Sequence, residues 1–326
     1  MLSIVHQSTG SSMDVHDWNA LLGKGINIGN TLEAPHEGAW QGRLEEKYFD
    51  LISEAGFNSI RIPVRWSAHA GDRPPYLLDP DFLARVDWAV KQAVDRKLVV
   101  IVNMHHYHEF MDAPEQHKER FLAIWKQLAE HYRDYPPALY FEIMNEPTQN
   151  ATAELWNEIQ NEAVSVVRKS NPDRALLVAP IGWNRIDKLE LLDLPERDRN
   201  LIASVHYYEP HGFTHQGAEW VKAPRPPGVE WRGTSEERQE IDEDFEKAAR
   251  WSRKHNIPIN VGEFGAYSKA DMESRVRWTA YIRKSAEKHG MSWHYWEFYS
   301  GFGVYDPEEN KWRQELLTAL LPEQQK

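Results

Sequence analysis

Leu98-Val99-Val100-Ile101-Val102-Asn103-Met104-His105-His106 is apolar at its start and polar at its end. Residues 115–132, which follow, carry apolar positions at helical spacing, and a second apolar run at 139–146 again turns polar. An apolar run with no alternation reads as a strand buried on both faces. Two such runs joined by an amphipathic helix read as a parallel βαβ unit. Working outward, the pattern recurs. Strands are expected at 25–30, 59–66, 176–180, 202–208, 259–263 and 292–298, and helices at 44–55, 81–97, 153–169, 236–255 and 271–289. The fifth crossover is the weakest, because residues 186–194 are few and Pro195 stops them. Eight βα units close into a (β/α)8 TIM barrel, an α/β fold. With no linker or second repeat, the expectation is a single domain over residues 21–322, behind a flexible N-terminal segment at residues 1–20.

Composition narrows the functions. The 326 residues carry 38 Lys plus Arg against 50 Asp plus Glu, a net charge of −12 that repels nucleic acid and acidic lipid surfaces. Hydrophobic residues at 41% supply a core, a mean hydropathy of −0.67 argues against a membrane span, and no membrane partner is expected. The chain has no cysteine, which removes disulfides, thiolate metal sites and a cysteine nucleophile. Residues 1–20 lack the apolar run of a secretory signal, so export and cytoplasmic residence both stay open. The expectation is a monomer without cofactor or metal.

In such barrels reactive groups gather where strands end, on the C-terminal face. Here the ends read Arg61-Ile62-Pro63, His105-His106-Tyr107, Asn145-Glu146-Pro147, His206-Tyr207-Tyr208, Glu263-Phe264-Gly265 and Trp296-Glu297-Phe298. Two of them place a glutamate directly after an apolar strand. Strands four and seven face each other across the ring, so Glu146 and Glu263 meet over its mouth. Glycosidic hydrolysis requires two such carboxyl groups, about 5 Å apart when configuration is retained. A structural reading instead pairs both with Arg61 or Arg65. Adjacent His105 and His106 raise a metal-dependent hydrolase as an alternative, although successive strand residues point to opposite faces. A non-catalytic carbohydrate-binding barrel would have to lack one carboxylate.

The run Gly25-Ile26-Asn27-Ile28-Gly29-Asn30, the Arg61-Ile62-Pro63 and Asn103-Met104-His105-His106 ends, Ile143-Met144-Asn145-Glu146-Pro147, Val205-His206-Tyr207-Tyr208 and Gly262-Glu263-Phe264-Gly265 together resemble glycoside hydrolase family 5. The likeness runs from Gly25 to Trp312 and leans toward bacterial thermophile endo-β-1,4-glucanases, some of which cleave β-mannans. It implies a retaining cellulase that degrades polysaccharide, with Glu146 as acid and base and Glu263 as nucleophile. Arg61, His105, Asn145, His206 and Tyr208 would support them. Asn30, Glu33, His106, His215, Trp220 and Trp296 would bind sugar, and the Trp296-Glu297 bond would be cis. The residues then suggest that Glu263 raises the pKa of Glu146 while Arg61 and Tyr208 hold Glu263 ionised.

Three further expectations remain. The loop at 209–235, stiffened by Pro210, Pro224, Pro226 and Pro227, either binds substrate or covers the barrel end. Trp66, Trp88, Trp125, Trp156, Trp251 and Trp278 read as packing. Glu142 and Glu297 read as buried hydrogen-bonding partners within strands.

Overall fold

A computed structural model describes residues 13–40, 42–148 and 150–322. Eight parallel strands close a barrel in sequence order: β1 (Lys24–Asn27), β2 (Ser59–Ile62), β3 (Val99–Asn103), β4 (Leu139–Glu142), β5 (Leu176–Val178), β6 (Leu201–His206), β7 (Ile259–Phe264) and β8 (Ser292–Tyr295). Register fixes the closure, with Gly25 opposite Ser59 on one side and His294 on the other. Every residue of β2 to β8 is buried, which is why these runs are apolar without alternation.

Eight-residue α1 (Val15–Leu22) precedes the barrel, and α2 (Glu46–Ala55), α3 (Pro80–Asp95), α4 (His108–Asp112), α5 (Pro114–His131) and α6 (Ala153–Arg168) cover its first half. Then come α7 (His211–Thr214), α8 (Ser235–His255), α9 (Met272–Lys288) and α10 (Gln314–Leu320), with a short β9 (Tyr305–Asp306) and β10 (Lys311–Trp312) hairpin before the last. Local signals set the long helices. Asp79 accepts from the Asp81 and Phe82 amides ahead of α3, with Pro80 in the first turn. Thr234 and Glu237 form a capping box on α8, and Gly56 closes α2 in the left-handed region. The fifth crossover is a 3-10 helix at Ile186–Leu191, so the chain keeps the barrel's connection without a full α-helix. None of the described helices is long and apolar enough to cross a membrane.

Part of the expected flexible N-terminal segment, residues 1–12, lies outside the described residues. From Val15 onward the rest is helical, contrary to expectation. Asp14 accepts the His16 amide at 2.8 Å, and Val15 and Leu22 join the apolar cluster of Val99, Ile101, Tyr140, Leu177 and Ile202 that fills the lower barrel. The helix is short and mixed in polarity, so its buried side carries too few positions to stand out in sequence. A larger cluster lies between strands and helices and takes in Trp66, Trp125, Trp156, Trp251 and Trp278, with Trp88 packed partly buried against it.

One polar layer interrupts the floor of the barrel. The Ser59 hydroxyl donates to the Leu22 carbonyl at 2.6 Å and shares a 2.9 Å bond with His294 Nε2, whose Nδ1 lies 3.1 Å from the Asn260 amide nitrogen. The layer closes only because position 25 has no side chain: a Cβ there would lie 2.2 Å from His294 Cδ2 and 2.6 Å from Ser59 Oγ. Replacing Gly25 with Ala should therefore cost about 1–3 kcal/mol, the usual range for overpacking a tight interior. Urea unfolding measures it, and an unchanged midpoint would show that the His294 layer yields freely.

Candidate active site

Arg61, the penultimate residue of β2, ties the site together. Its guanidinium is fully buried and makes four short contacts: Nε with Glu142 at 2.6 Å, Nη1 with Asn27 at 2.8 Å and Glu263 at 2.7 Å, and Nη2 with Asn145 at 2.7 Å. Glu142 also accepts from the Ser204 hydroxyl at 2.9 Å and is held below the usual carboxylate range. Burial alone would raise it, but Arg61, His206 and Ser204 together outweigh that. It is the buried partner expected of it. Glu297 is buried too, although past the end of β8, and accepts the Tyr299 and Phe302 amides at 3.3 Å; burial pushes its pKa up to about 8.

Glu263 lies within β7 and is gripped from both sides. Arg61 holds Oε1, and the Tyr208 hydroxyl donates to Oε2 at 2.9 Å. Burial raises its pKa, against the pull of His206, Arg61 and the tyrosine hydroxyl, and the net shift is upward. Glu146 stands differently. It lies past the end of β4 in the left-handed region, φ 49, its amide donating to Asn184 Oδ1 at 3.1 Å. Such a backbone costs a non-glycine residue about 1–2 kcal/mol. Its side chain keeps 30% exposure and lies 2.8 Å from His206 Nδ1. Its pKa is pushed up to about 7, chiefly by desolvation, with Glu142 adding to the rise and Arg61 and His211 opposing it. The cause expected from sequence, repulsion by Glu263, is therefore not the leading one. Carboxylate oxygens of Glu146 and Glu263 lie within 4.8 Å of each other and of a His206 ring nitrogen.

Of the residues expected to support the pair, Asn145, His105 and His206 are all buried beside it. Burial drives His105 well below its ordinary value and His206 down to about 4, so both are neutral. Asn145 Oδ1 accepts from Arg61, which orients the amide's NH2 group away from the guanidinium. Asn30, Glu33, His106, His215, Trp220 and Trp296 line one cavity of about 640 Å³ together with Glu146 and Glu263. Trp296 stacks parallel to His105 at 5.8 Å, and the Trp296-Glu297 bond is cis. Glu33 also serves the backbone. Its carboxyl accepts the Asn30 and Thr31 amides, the latter at 2.9 Å, and burial raises its pKa to about 7.

Two sequence expectations change here. His105 and His106 do not point to opposite faces; both line the cavity, with ring centroids 4.6 Å apart. The pleat argument fails because β3 ends at Asn103, two residues earlier. They still form no chelating cluster with a third ligand among the described residues; the one such group is Glu146, His206 and Glu263. There Arg61 already supplies positive charge 2.7 Å from Glu263, where a metal ion would meet a guanidinium. The loop at 209–235 divides between its two expected roles. His215 and Trp220 face the cleft, while Trp231 is buried and Gln216 clasps the loop through the Gly228 and Val229 amides at 2.7 and 2.9 Å.

Sequence reasoning missed Trp40 and Trp183, which are 44% and 53% exposed and line the cleft. For Trp183 a signal exists: Gly182 and Asn184 flank it, residue types that accept left-handed backbone, and all three adopt it at φ 80, 61 and 55.

Known proteins resemble this chain in sequence and in fold. The model of the cellulase family, glycosyl hydrolase family 5, matches residues 23–301. Endoglucanase H of Acetivibrio thermocellus is 34% identical over 96% of this chain, which spans 34% of that protein's length. Endoglucanase B of Ruminococcus albus is 31% identical, with 91% of this chain and 77% of that one covered. Thermotoga maritima Cel5A, whose structures include a cellobiose complex at 48% identity and a mannotriose complex at 47%, superposes with a TM-score of 0.93 over 94% of this chain and all of Cel5A. The family match spans most of the chain and includes both glutamates, so the chain belongs to glycosyl hydrolase family 5.

Proposed function

We propose that the protein is a retaining endo-β-1,4-glucanase, with Glu146 as general acid and base and Glu263 as nucleophile. The observation that carries this is one pair of carboxyl groups, oxygens within 4.8 Å, in opposed surroundings. That spacing suits direct attack and leaves no room for the intervening water that inversion requires. Glu263, held by Arg61 and Tyr208, presents an ionised oxygen to the anomeric carbon. Glu146, desolvated to a pKa of about 7, carries a proton for the departing oxygen. Glu146 gives that proton to the departing oxygen as Glu263 becomes an ester, so it is then a carboxylate and takes a proton from the attacking water. Asn145, whose Oδ1 is taken up by Arg61, donates its NH2 to the sugar 2-hydroxyl in this reading, and Trp296 offers a flat face to the sugar ring.

Soluble β-1,4-glucan and mixed-linkage glucan are the proposed substrates, with β-mannan as a second. Likeness to Cel5A, seen with both cellobiose and mannotriose, supports the pair. The open cleft, walled by histidines and tryptophans, also suits sugars that differ only at the 2-hydroxyl.

Three outcomes test this reading. Glu263→Ala should lower release of reducing sugar from carboxymethylcellulose by about 10³-fold or more while oligosaccharide binding persists, and Glu146→Gln should lower it by about 10²–10⁴-fold; turnover near wild type in the first variant would overturn the assignment. Proton NMR of the first product from a cello-oligosaccharide should show the β anomer, whereas an α anomer would mean inversion. The pH profile of kcat/KM should be a bell. Its basic limb falls near pH 7 as Glu146 loses its proton, and its acid limb falls as Glu263, raised above 4.5, gains one. Because the Tyr208 hydroxyl lowers the Glu263 pKa, Tyr208→Phe should move the acid limb to higher pH and leave the basic limb in place.

A further inference from the structure

We propose that Thr214 is a positioning residue, which locks His215 with its hydrogen on Nδ1 and so leaves a bare Nε2 that accepts a hydrogen bond from a sugar hydroxyl. The sugar's part in this rests on the hydrolytic reading above; the state of the imidazole does not. Thr214 is fully buried at the end of α7, and its hydroxyl oxygen lies 2.6 Å from the Tyr208 carbonyl and 2.9 Å from His215 Nδ1. A hydroxyl has one hydrogen to give, and a carbonyl can only accept. The Thr214 hydrogen is therefore spent on Tyr208, and the oxygen faces His215 as an acceptor. Nδ1 must then carry a hydrogen. The backbone holds this arrangement in place, since the Thr214 amide donates to the Pro210 carbonyl at 3.2 Å and the Thr214 carbonyl accepts the Tyr267 amide at 2.8 Å.

Nε2 is bare because the ring is neutral. Burial, with His211 adding to it, pushes the His215 pKa down to about 3. The neighbouring rings do not take up the bare nitrogen. His211 lies parallel to His215 with centroids 4.2 Å apart, so it meets the ring by its face, and Tyr208, whose centroid is 4.9 Å away, gives its hydroxyl hydrogen to Glu263. Among the described residues Nε2 has no hydrogen-bond partner, and His215 stands in the wall of the cavity that holds Glu146 and Glu263.

His105, in the same cavity, is set the other way. Asn103 Oδ1 accepts the Val64 amide at 3.1 Å, so its NH2 is the group that meets Glu142 at 3.2 Å and His105 Nδ1 at 3.0 Å. An NH2 only donates, so Nδ1 of His105 is bare and, in a neutral ring, Nε2 carries the hydrogen. Two neutral imidazoles of one cavity thus have opposite polarity. A sugar oxygen that meets His215 must be a hydroxyl with a hydrogen to give, whereas one that meets His105 can equally be an ether.

The full-length enzyme, isotope-labelled at its histidine nitrogens, tests this. Long-range proton-nitrogen correlation spectra separate a bare imidazole nitrogen from one that carries hydrogen, and the His215 signals are those lost in His215→Gln. The wild type should show hydrogen on Nδ1 and a bare Nε2. Thr214→Ser should keep that state, and Thr214→Val, which has the shape without the acceptor, should lose it. With a cello-oligosaccharide, Thr214→Val should raise KM about fivefold with kcat within about twofold, as for loss of one neutral hydrogen bond, and Thr214→Ser should stay near wild type. A bare Nδ1 in the wild type, an unchanged His215 spectrum in Thr214→Val, or a fall in kcat at constant KM, the mark of a residue that only braces Tyr208, would overturn the inference. The wild-type spectrum decides even where a variant fails to fold. A wild type that leaves every β-glucan intact would instead sink the hydrolytic reading, with the spectrum still reporting the lock.

Discussion

A guanidinium sealed inside a barrel must be matched by negative charge, and Arg61 is matched twice, by Glu142 at 2.6 Å and by Glu263 at 2.7 Å. Burying a charge without partners costs far more than a fold's net stability, so the cation and its carboxylates stand or fall together. That constraint reaches the surface of the cleft. One cation is divided between two carboxylates, and the acids around them have no comparable partner. Glu33 and Glu146 are pushed up to about 7 and Glu297 to about 8. Desolvation raises all of these acids, and of the two that Arg61 binds directly only Glu142 is held below the usual range.

The same logic explains the neutral histidines. His105 and His206 lie in contact with or near Arg61, are buried, and stay uncharged. A protonated imidazole there would compete with Arg61 for Glu263. Kept neutral, His206 lies 2.8 Å from Glu146 and positions it without neutralising it.

How far sequence foretold this follows from what each residue depends on. The strands were legible because a barrel strand is buried on both faces and its apolar run is local. Glu146 and Glu263 were legible because each follows such a run, and Arg61 because it ends one. What depends on leaving the strand was not. His105 and His106 share a wall because the ladder stops at Asn103, and no periodicity marks a stop within an apolar run. The origin of the Glu146 shift is hidden for a related reason: desolvation is a property of the assembled cleft, whereas charge repulsion can be guessed from residue types. The helix at Val15–Leu22 went unread because it is short and its buried side belongs to the barrel floor.

Trp183 carries the last of these lessons. Fourteen tryptophans make any one of them unremarkable by composition, and most are packing. The distinction lies in backbone: buried indoles such as Trp125 and Trp156 donate from helices to the carbonyls of Ile143 and Ala179 at 3.0 and 2.8 Å and so brace the strand ends. Trp183 instead sits in a left-handed turn whose amides are spent on Pro147, with Asn184 joining the strand-four and strand-six ends through Glu146 and His206. An aromatic that braces the fold is held by its side chain and hides it. One that serves a ligand is held by its backbone and leaves the ring free, and on that criterion Trp183 belongs to the cleft.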